Sequence, residues 1–454
     1  MHSKTKNLLT KAGFHMNKEE YDIALSLYKE VIVNDEANFT ANLNIGAILA
    51  AQNKLLPSYS QYEITLKFYP NVANLHFNLG VISQKLNKHW QALDHFLKAI
   101  HIKPDYIEAF ENLANTQYQL GFYNDAIKSY NFILKIQPNR DSTLYSLSLI
   151  LLLHGYFKQG WELYEHRWAT KEFGNKGVNE IKRTWTNKHE MAGKKLLLIR
   201  EQGFGDTIQF SRFAIVLSNL NLKVTLVVQP ELVNLIRTLN NIGPLNNINV
   251  ISHEEINEDI EYDYYLPMMS IPNALNGIYD DIPVFPQYLW ANDEKISYWE
   301  GLISKNGMMN IGVAWTGSPN HNNDSNRSIP FRDFKKIFNR SANYHKLNNE
   351  IRTDEIEEVS RTKNLHIWDH ELKTFEDTAA LIFCMDLIIT VDTSIVHLAG
   401  SMNKKTHLLL PRSPDFRWLL EKNESTWYSS VRLFRSPIIC DWSSLIELYN
   451  NNLI

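Results

Sequence analysis

At 454 residues, with 44% hydrophobic and 21% charged side chains, the chain has an ordinary globular composition and enough length for two or three domains with sizeable cores. A net charge of −4 supplies no basic field, so nucleic acid is not an expected partner. The two cysteines, Cys384 and Cys440, are too few for a disulfide framework or a zinc site, and their apolar or aromatic neighbours suggest buried thiols in a reducing compartment.

Residues 1–13 carry lysines but no apolar core and no cleavage signature, so no signal peptide is expected. A repeat then dominates the first third of the chain. Tyr28, Tyr62, Phe96, Tyr130 and Tyr164 stand 34 residues apart. Ala24, Ser58, Ala92, Ala126 and Gly160 keep the same step, as do Pro70, Pro104 and Pro138, and Gly46 with Gly80. A period of 34 is that of a helix–turn–helix unit that buries its apolar face only by stacking on its neighbours. The small residue lets two helices approach, the aromatic four positions later lies on the same face, and the proline stops the second helix. The pattern is densest at 79–104 and 113–138. It weakens at the ends, where Glu36 replaces proline and Gly160 replaces alanine, as terminal solenoid units often do. These units resemble tetratricopeptide repeats, which implies an α-solenoid over 1–170. The longest apolar run, 147–153, is too short to span a bilayer and fits a buried repeat helix. No membrane span is expected, and the simplest location is cytoplasmic.

The last unit contains Gly160-Trp-Glu-Leu-Tyr-Glu-His-Arg-Trp168, with more aromatic and cationic side chains than a polar end cap needs. This helix is expected to dock on the domain that follows. Residues 171–193 have no period and read as a connector.

From 194 the pattern becomes strands alternating with helices, the mark of parallel sheets. Strands are expected at 195–200 and 222–228, with a helix at 207–219 between them. A second series has strands at 309–315, 365–368, 386–391 and 405–411, and helices at 376–385 and 394–400. The polar, proline-containing stretch 257–298 separates the two series, so two doubly wound halves are expected to face one cleft. Residues 441–451 read as a final helix. Three strand-to-helix turns stand where open α/β sheets bind ligands. In Glu201-Gln-Gly-Phe-Gly-Asp-Thr207, two glycines permit close backbone approach and Asp206 lies near a helix start; the aspartate equally suits N-capping. The turn lacks the full dinucleotide-binding spacing and a P-loop lysine. Residues 315–328 hold Gly, Ser and Asn with Arg327, a set that can grip a diphosphate or form a solvated loop. In Val391-Asp-Thr-Ser-Ile-Val-His-Leu-Ala-Gly400, a helix N-terminus offers free amides to an anion, and His397 lies one turn in, facing the way of Thr393 or Ser394. A capped helix with a core histidine is the alternative.

With Pro414-Asp-Phe-Arg-Trp-Leu-Leu420 and Asp377-Thr-Ala-Ala-Leu-Ile382, these segments resemble tetratricopeptide-repeat glycosyltransferases related to the ADP-heptose lipopolysaccharide heptosyltransferases, over nearly the whole chain. The resemblance implies an α plus α/β architecture: the solenoid, then a GT-B fold with an acceptor-side Rossmann-like half at 194–295 and a nucleotide-sugar half at 296–454. It implies an inverting, metal-independent transferase with no cofactor beyond the nucleotide-sugar substrate, and no Asp-x-Asp metal motif stands at a strand end. Asp206 is the implied base. Gln202, Gly205, Trp315, Gly317, Ser318, Asn320, Arg327, Asp392, Thr393, Ser394 and His397 are the implied donor-binding set. The expected acceptor is a Ser or Thr hydroxyl on a protein bound by the repeats; flagellin or another surface protein is what similar fusions suggest. The alternatives are transfer to a lipopolysaccharide or glycan acceptor, and a non-catalytic repeat scaffold. Arg412-Ser413 and the polar segment 344–352 depart from the family pattern and leave the donor's base and sugar open.

Overall fold

The computed structural model describes residues 2–170, 173, 192–242, 247–257, 259–275, 281–303, 306–319, 321, 323–338, 341–348, 351–439 and 441–451. Most of the connector at 171–193, together with Asn320 and Cys440, lies outside the described residues. The chain forms two compact units, Met1–Leu147 and Ser148–Ile454, with the boundary inside helix Asp141–Leu153. Among the described residues no helix is long and apolar enough to cross a membrane.

The first unit is a stack of helical hairpins of the tetratricopeptide type. Helices α1 (His2–Asn17) and α2 (Tyr21–Asn34), α3 (Phe39–Ala51) and α4 (Leu55–Phe68), α5 (Ala73–Lys85) and α6 (His89–Ile102), and α7 (Ile107–Gln119) and α8 (Tyr123–Ile136) pair in turn, and each hairpin packs on the next. The periodic aromatics make both kinds of contact. Phe96 covers Gly80 of its own hairpin and reaches Leu113 of the following one; Tyr62 covers Gly46 and packs with Leu75, Leu79 and Ile82. A buried tyrosine hydroxyl needs a partner, and the repeat supplies one sixteen residues on. Asn44 donates to the Tyr28 hydroxyl at 3.0 Å, and Asn78 and Ser146 bond Tyr62 and Tyr130. Burial pushes the Tyr62 phenol up to about 12 despite the Asn78 bond. Pro70, Pro104 and Pro138 each stand two residues beyond a helix end, at Phe68, Ile102 and Ile136. A further periodic set emerges from the backbone: Glu19, Asn53, Asn87, Gly121 and Gly155 all have φ between 56° and 80°, at a step of 34. Asn and Gly tolerate this left-handed turn best, which explains their use between paired helices.

The second unit carries two parallel sheets. The first has β1 (Lys195–Ile199), β2 (Lys223–Val228), β3 (Ile248–Ser252) and β4 (Tyr264–Pro267) in the order β3-β2-β1-β4. The second has β5 (Met309–Ala314), β6 (Ala342–Lys346), β7 (Leu365–His366), β8 (Leu387–Val391), β9 (Thr406–Leu410) and β10 (Val431–Arg435) in the order β10-β9-β8-β5-β6-β7. Every strand pairing is parallel. Strands β3, β4, β6 and β10 were not expected from sequence. β4 lies inside the stretch read as a separator. β6 reads as polar, yet all five of its residues are buried, because Lys346 meets Asp369 at 2.7 Å and His345 bonds Asn310 at 3.1 Å. β10 stands at the edge of its sheet and carries two arginines, Arg432 and Arg435, among apolar residues, so it lacks the continuous apolar run of a strand covered on both faces. The single helix expected at 207–219 is two, Phe204–Phe210 and Phe213–Asn219. Ser211 Oγ and Arg212 Nε donate to the carbonyls of Ile208 and Gln209 at 2.8 and 2.9 Å, and such local side-chain bonds compete with the helical ladder. Cys384, expected to be buried, is only partly so, since it sits at the end of helix Phe375–Phe383 rather than on its core face.

A Cβ added at Gly80 would lie 2.5 Å from the Phe96 ring, whereas one added at Gly301, in helix Asp293–Leu302, would meet nothing within 4 Å. Alanine gains about 1 kcal/mol over glycine in a helix, but overpacking costs about 1–3 kcal/mol. Gly80→Ala therefore lowers the thermal midpoint read by circular dichroism and Gly301→Ala raises it; a raised midpoint for Gly80→Ala would show that the ring does not need the glycine.

Candidate functional site

The helix Phe157–Tyr164 docks on the α/β part of the second unit, as its composition led us to expect. Trp161 and Tyr164 are buried, with ring contacts to Phe210 and Phe416. The turn after this helix places Arg167 fully inside the protein. Its guanidinium forms a two-toothed ion pair with Glu201 at the end of β1, at 3.0 and 3.1 Å. Glu201 also accepts the Met269 N–H at 2.7 Å. Burial pushes the Glu201 carboxyl up to about 7, against the pull of Arg167 and of the Met269 amide.

Beyond Glu201 the turn runs into helix Phe204–Phe210. The Asp206 carboxylate accepts the Gly203 N–H at 2.9 Å and forms an ion pair with Arg417. The capping role open to Asp206 is thus filled, but by one oxygen only; the other faces a cation from the far end of the chain. Arg417 is buried, donates from Nε to Gln209 Oε1 at 2.7 Å, and is held by Asp415 at 2.8 Å. Burial opposes its charge, yet Asp415 and then Asp206 keep its pKa above the ordinary arginine value.

Helix Phe204–Phe210 packs directly on helix Ser394–Ser401. A Cβ on Gly205 would stand 2.8 Å from the His397 ring and 3.4 Å from Ser394 Cα, so the glycine serves the meeting of the two helix starts. Thr393 caps the second helix, its hydroxyl accepting the Ile395 N–H at 3.3 Å. His397 is buried, bonds the Tyr428 hydroxyl at 2.9 Å and stacks on Trp418. Desolvation, then Arg417, Arg212 and Arg327, push its pKa well below the usual imidazole value, so it stays neutral. Asp392, half-buried at the end of β8, is pushed up to about 6, first by desolvation and then by Asp415, while the Trp418 indole and the two arginines pull it down. The Arg327 guanidinium lies against Gly317, where a Cβ would stand 2.5 Å from it, and donates to the Asp392 carbonyl at 3.2 Å.

The structure therefore brings Gly205, Asp206, Gly317, Arg327, Asp392, Thr393, Ser394 and His397 to one place between the two sheets. Ser318 is half-buried in the same turn as Gly317, its carbonyl accepting the His321 N–H at 3.1 Å. Two expected residues are placed elsewhere. Trp315 is enclosed in the core of the second sheet, against Phe331 and Phe334, with its N–H on Glu355 at 3.1 Å, because its position continues the inward face of β5. The Gln202 side chain turns away to the Tyr164 hydroxyl, at 2.9 Å. Asn320 lies outside the described residues. Sequence reasoning missed Arg417 and Asp415, although both stand in the Pro414–Leu420 string, and it missed His321, whose pKa is lowered by its surroundings and by Arg327 against pulls from Asp415, Asp206 and Asp324. Three carboxylates and two arginines at two helix starts can bind an anion, and can exchange a proton near neutral pH at Asp392. Among the described residues, no group of three or more His, Cys, Asp or Glu is placed to hold a metal ion.

No family model matches this chain. It is similar to the protein FlbA of Caulobacter vibrioides, 22% identical over 459 residues that cover 94% of this chain and 74% of that protein. It is also similar to the tetratricopeptide repeat-containing protein trd-1 of Caenorhabditis elegans, 24% identical over 139 residues, 31% of this chain and 18% of that one. Among solved structures, MamA is 20% identical with a TM-score of 0.34, covering 38% of this chain and 97% of its own. YrrB, described as a tetratricopeptide-repeat protein with an unusual peptide-binding site, is 16% identical with a TM-score of 0.33, covering 36% and 85%.

Between the ordinary carboxyl value of 4.5 and the folded value of about 7, Glu201 holds a proton that the unfolded chain releases. Its contribution to stability is therefore full below pH 4.5 and is lost as pH rises through about 7. The difference in unfolding free energy between wild type and Glu201→Gln, from urea titrations, falls steadily across that window. A flat difference would mean that Glu201 is not desolvated.

Proposed function

We propose that the second unit is an inverting, metal-independent glycosyltransferase of GT-B type, and that the repeats recruit its acceptor, a polypeptide presenting a Ser or Thr hydroxyl. The observation that carries this reading is the meeting of Asp206, at the carboxyl end of β1, with the start of helix Ser394–Ser401 and with Arg327 and Arg417. Sites at strand carboxyl ends are where open α/β sheets bind ligands, and stacked repeats commonly form concave binding surfaces.

The chemistry needs one base and a way to receive the leaving charge. Asp206 takes the proton of the acceptor hydroxyl, the hydroxyl oxygen bonds to the anomeric carbon, and the bond from that carbon to the diphosphate breaks on the opposite face. The nucleoside diphosphate leaves with the electron pair. Arg327, Arg417 and the free amides of the Ser394 helix meet its charge. On donor binding Arg417 passes from the Asp206 carboxylate to the diphosphate, which leaves that carboxylate free to accept the proton, so donor binding precedes proton removal. Asp392, poised near neutrality, balances the added negative charge by holding a proton. A second reading, a scaffold without turnover, draws support from the same ion pair: a carboxylate held by both Arg417 and the Gly203 amide is a stable structural joint.

Incubation with a panel of nucleotide-sugars and candidate protein acceptors, followed by intact mass, separates the readings. Wild type is expected to add one sugar mass, unaffected by EDTA, and Asp206→Ala to lose at least about a hundredfold in rate, the usual contribution of a positioned base. Equal rates in the two would remove Asp206 from the mechanism; no added mass in either, across the panel, favours the scaffold.

A further inference from the structure

We propose that Arg167, which stands in the last helical turn before the connector, is the positioning residue for the turn that carries Asp206. This rests on the transferase reading for its catalytic consequence but not for its structural one. An arginine has five N–H donors in a fixed fork. Arg167 uses all five inside the protein: Nε and one terminal nitrogen on Glu201, that same nitrogen also on Ser270 Oγ at 2.7 Å, and the other on the Tyr164 carbonyl at 3.2 Å and on Glu165 at 2.8 Å. Ser270 Oγ in turn donates to Glu165 at 2.9 Å. The guanidinium is also flanked by the rings of Tyr164 and Trp168, at 4.6 and 4.3 Å.

The effect falls on three consecutive residues. Glu201 is gripped by Arg167, Gln202 donates to the Tyr164 hydroxyl, and the next N–H, that of Gly203, goes to Asp206 itself. Two of the three anchors of this turn therefore come from residues 164–167, at the end of the repeat pattern. A surface ion pair could not do this, because solvent would compete for every bond. A buried fork with every donor satisfied leaves the turn one geometry. Arg167 touches no expected substrate atom; it acts through Glu201.

The test uses the full chain with Arg167→Lys, which keeps a cation but not the fork, and Tyr164→Phe, which keeps the ring but drops the hydroxyl that Gln202 uses. Both are milder than Arg167→Gln, which strands Glu201 without a cation. Amide hydrogen exchange at 202–207 is expected to quicken at least about fivefold in both variants, the size of one lost hydrogen bond, while amides of β5 and β8 keep their wild-type rates. If wild type transfers sugar, kcat falls about tenfold in Arg167→Lys with the donor KM held within about twofold, the mark of a lost transition-state geometry. Unchanged exchange at 202–207 in both variants overturns the positioning role whatever the activity. Faster exchange with no transfer by wild type sustains the positioning role and sinks the transferase reading. Faster exchange with kcat preserved overturns the catalytic consequence.

Discussion

The second unit depends on buried guanidinium groups that find their partners far along the chain. Arg167, Arg212 and Arg417 are all buried, and a cation without water must be met by oxygen atoms in the right places. Arg212 is met by the carbonyls of Pro283 and Trp427 and by the Tyr288 hydroxyl, with the rings of Tyr288, Trp427 and Tyr428 around it. Arg417 is met by Asp206, Gln209 and Asp415, and Arg167 by Glu201, Glu165 and Ser270. Removing one partner of a buried ion pair costs about 3–5 kcal/mol, a large share of a domain's net stability. These contacts tie the first sheet's leading helix to the segments around the second sheet, and through them the two halves share one polar centre.

The same contacts set the chemistry. Three carboxylates crowd two arginines, and Asp392, desolvated first and then repelled by Asp415, has its carboxyl raised despite the pull of both guanidinium groups. An incoming anion would compete for the arginines, and each guanidinium it captures frees a carboxylate. The close approach at Gly205 then matters for more than packing, because it keeps the carboxylate and the helix start of Ser394 in one field.

Much of the fold was legible because its rules are local. A repeat step of 34 exposes itself in Tyr28, Tyr62, Phe96 and Tyr130, and Tyr62 and Phe96 each cover a glycine, Gly46 and Gly80, at the same step in their own hairpins. The left-handed set at 19, 53, 87, 121 and 155 could have been read as well, from the Asn and Gly that recur there. Strands β1, β8 and β9 read as apolar runs because both their faces are covered. β6 hid because His345 and Lys346 are polar by type and buried only through Asn310 and Asp369, which are distant in sequence. Trp315 was misplaced for the converse reason: a residue ending a strand near a site points inward or outward by register, and here it points into the core.

By itself the amino-acid order determined the helical repeat, the alternation of strands and helices, and the three turns that gather at strand ends, because each of these follows from periodicity or from residues adjacent in the chain. Which side chains face one another was decided only by tertiary structure. The pairing of Asp206 with Arg417, of Arg167 with Glu201, and of Gly205 with His397 joins segments whose separation carries no pattern, and the cause is desolvation: once the helices close over these charges, the partner must be whatever oxygen or ring the fold brings within reach.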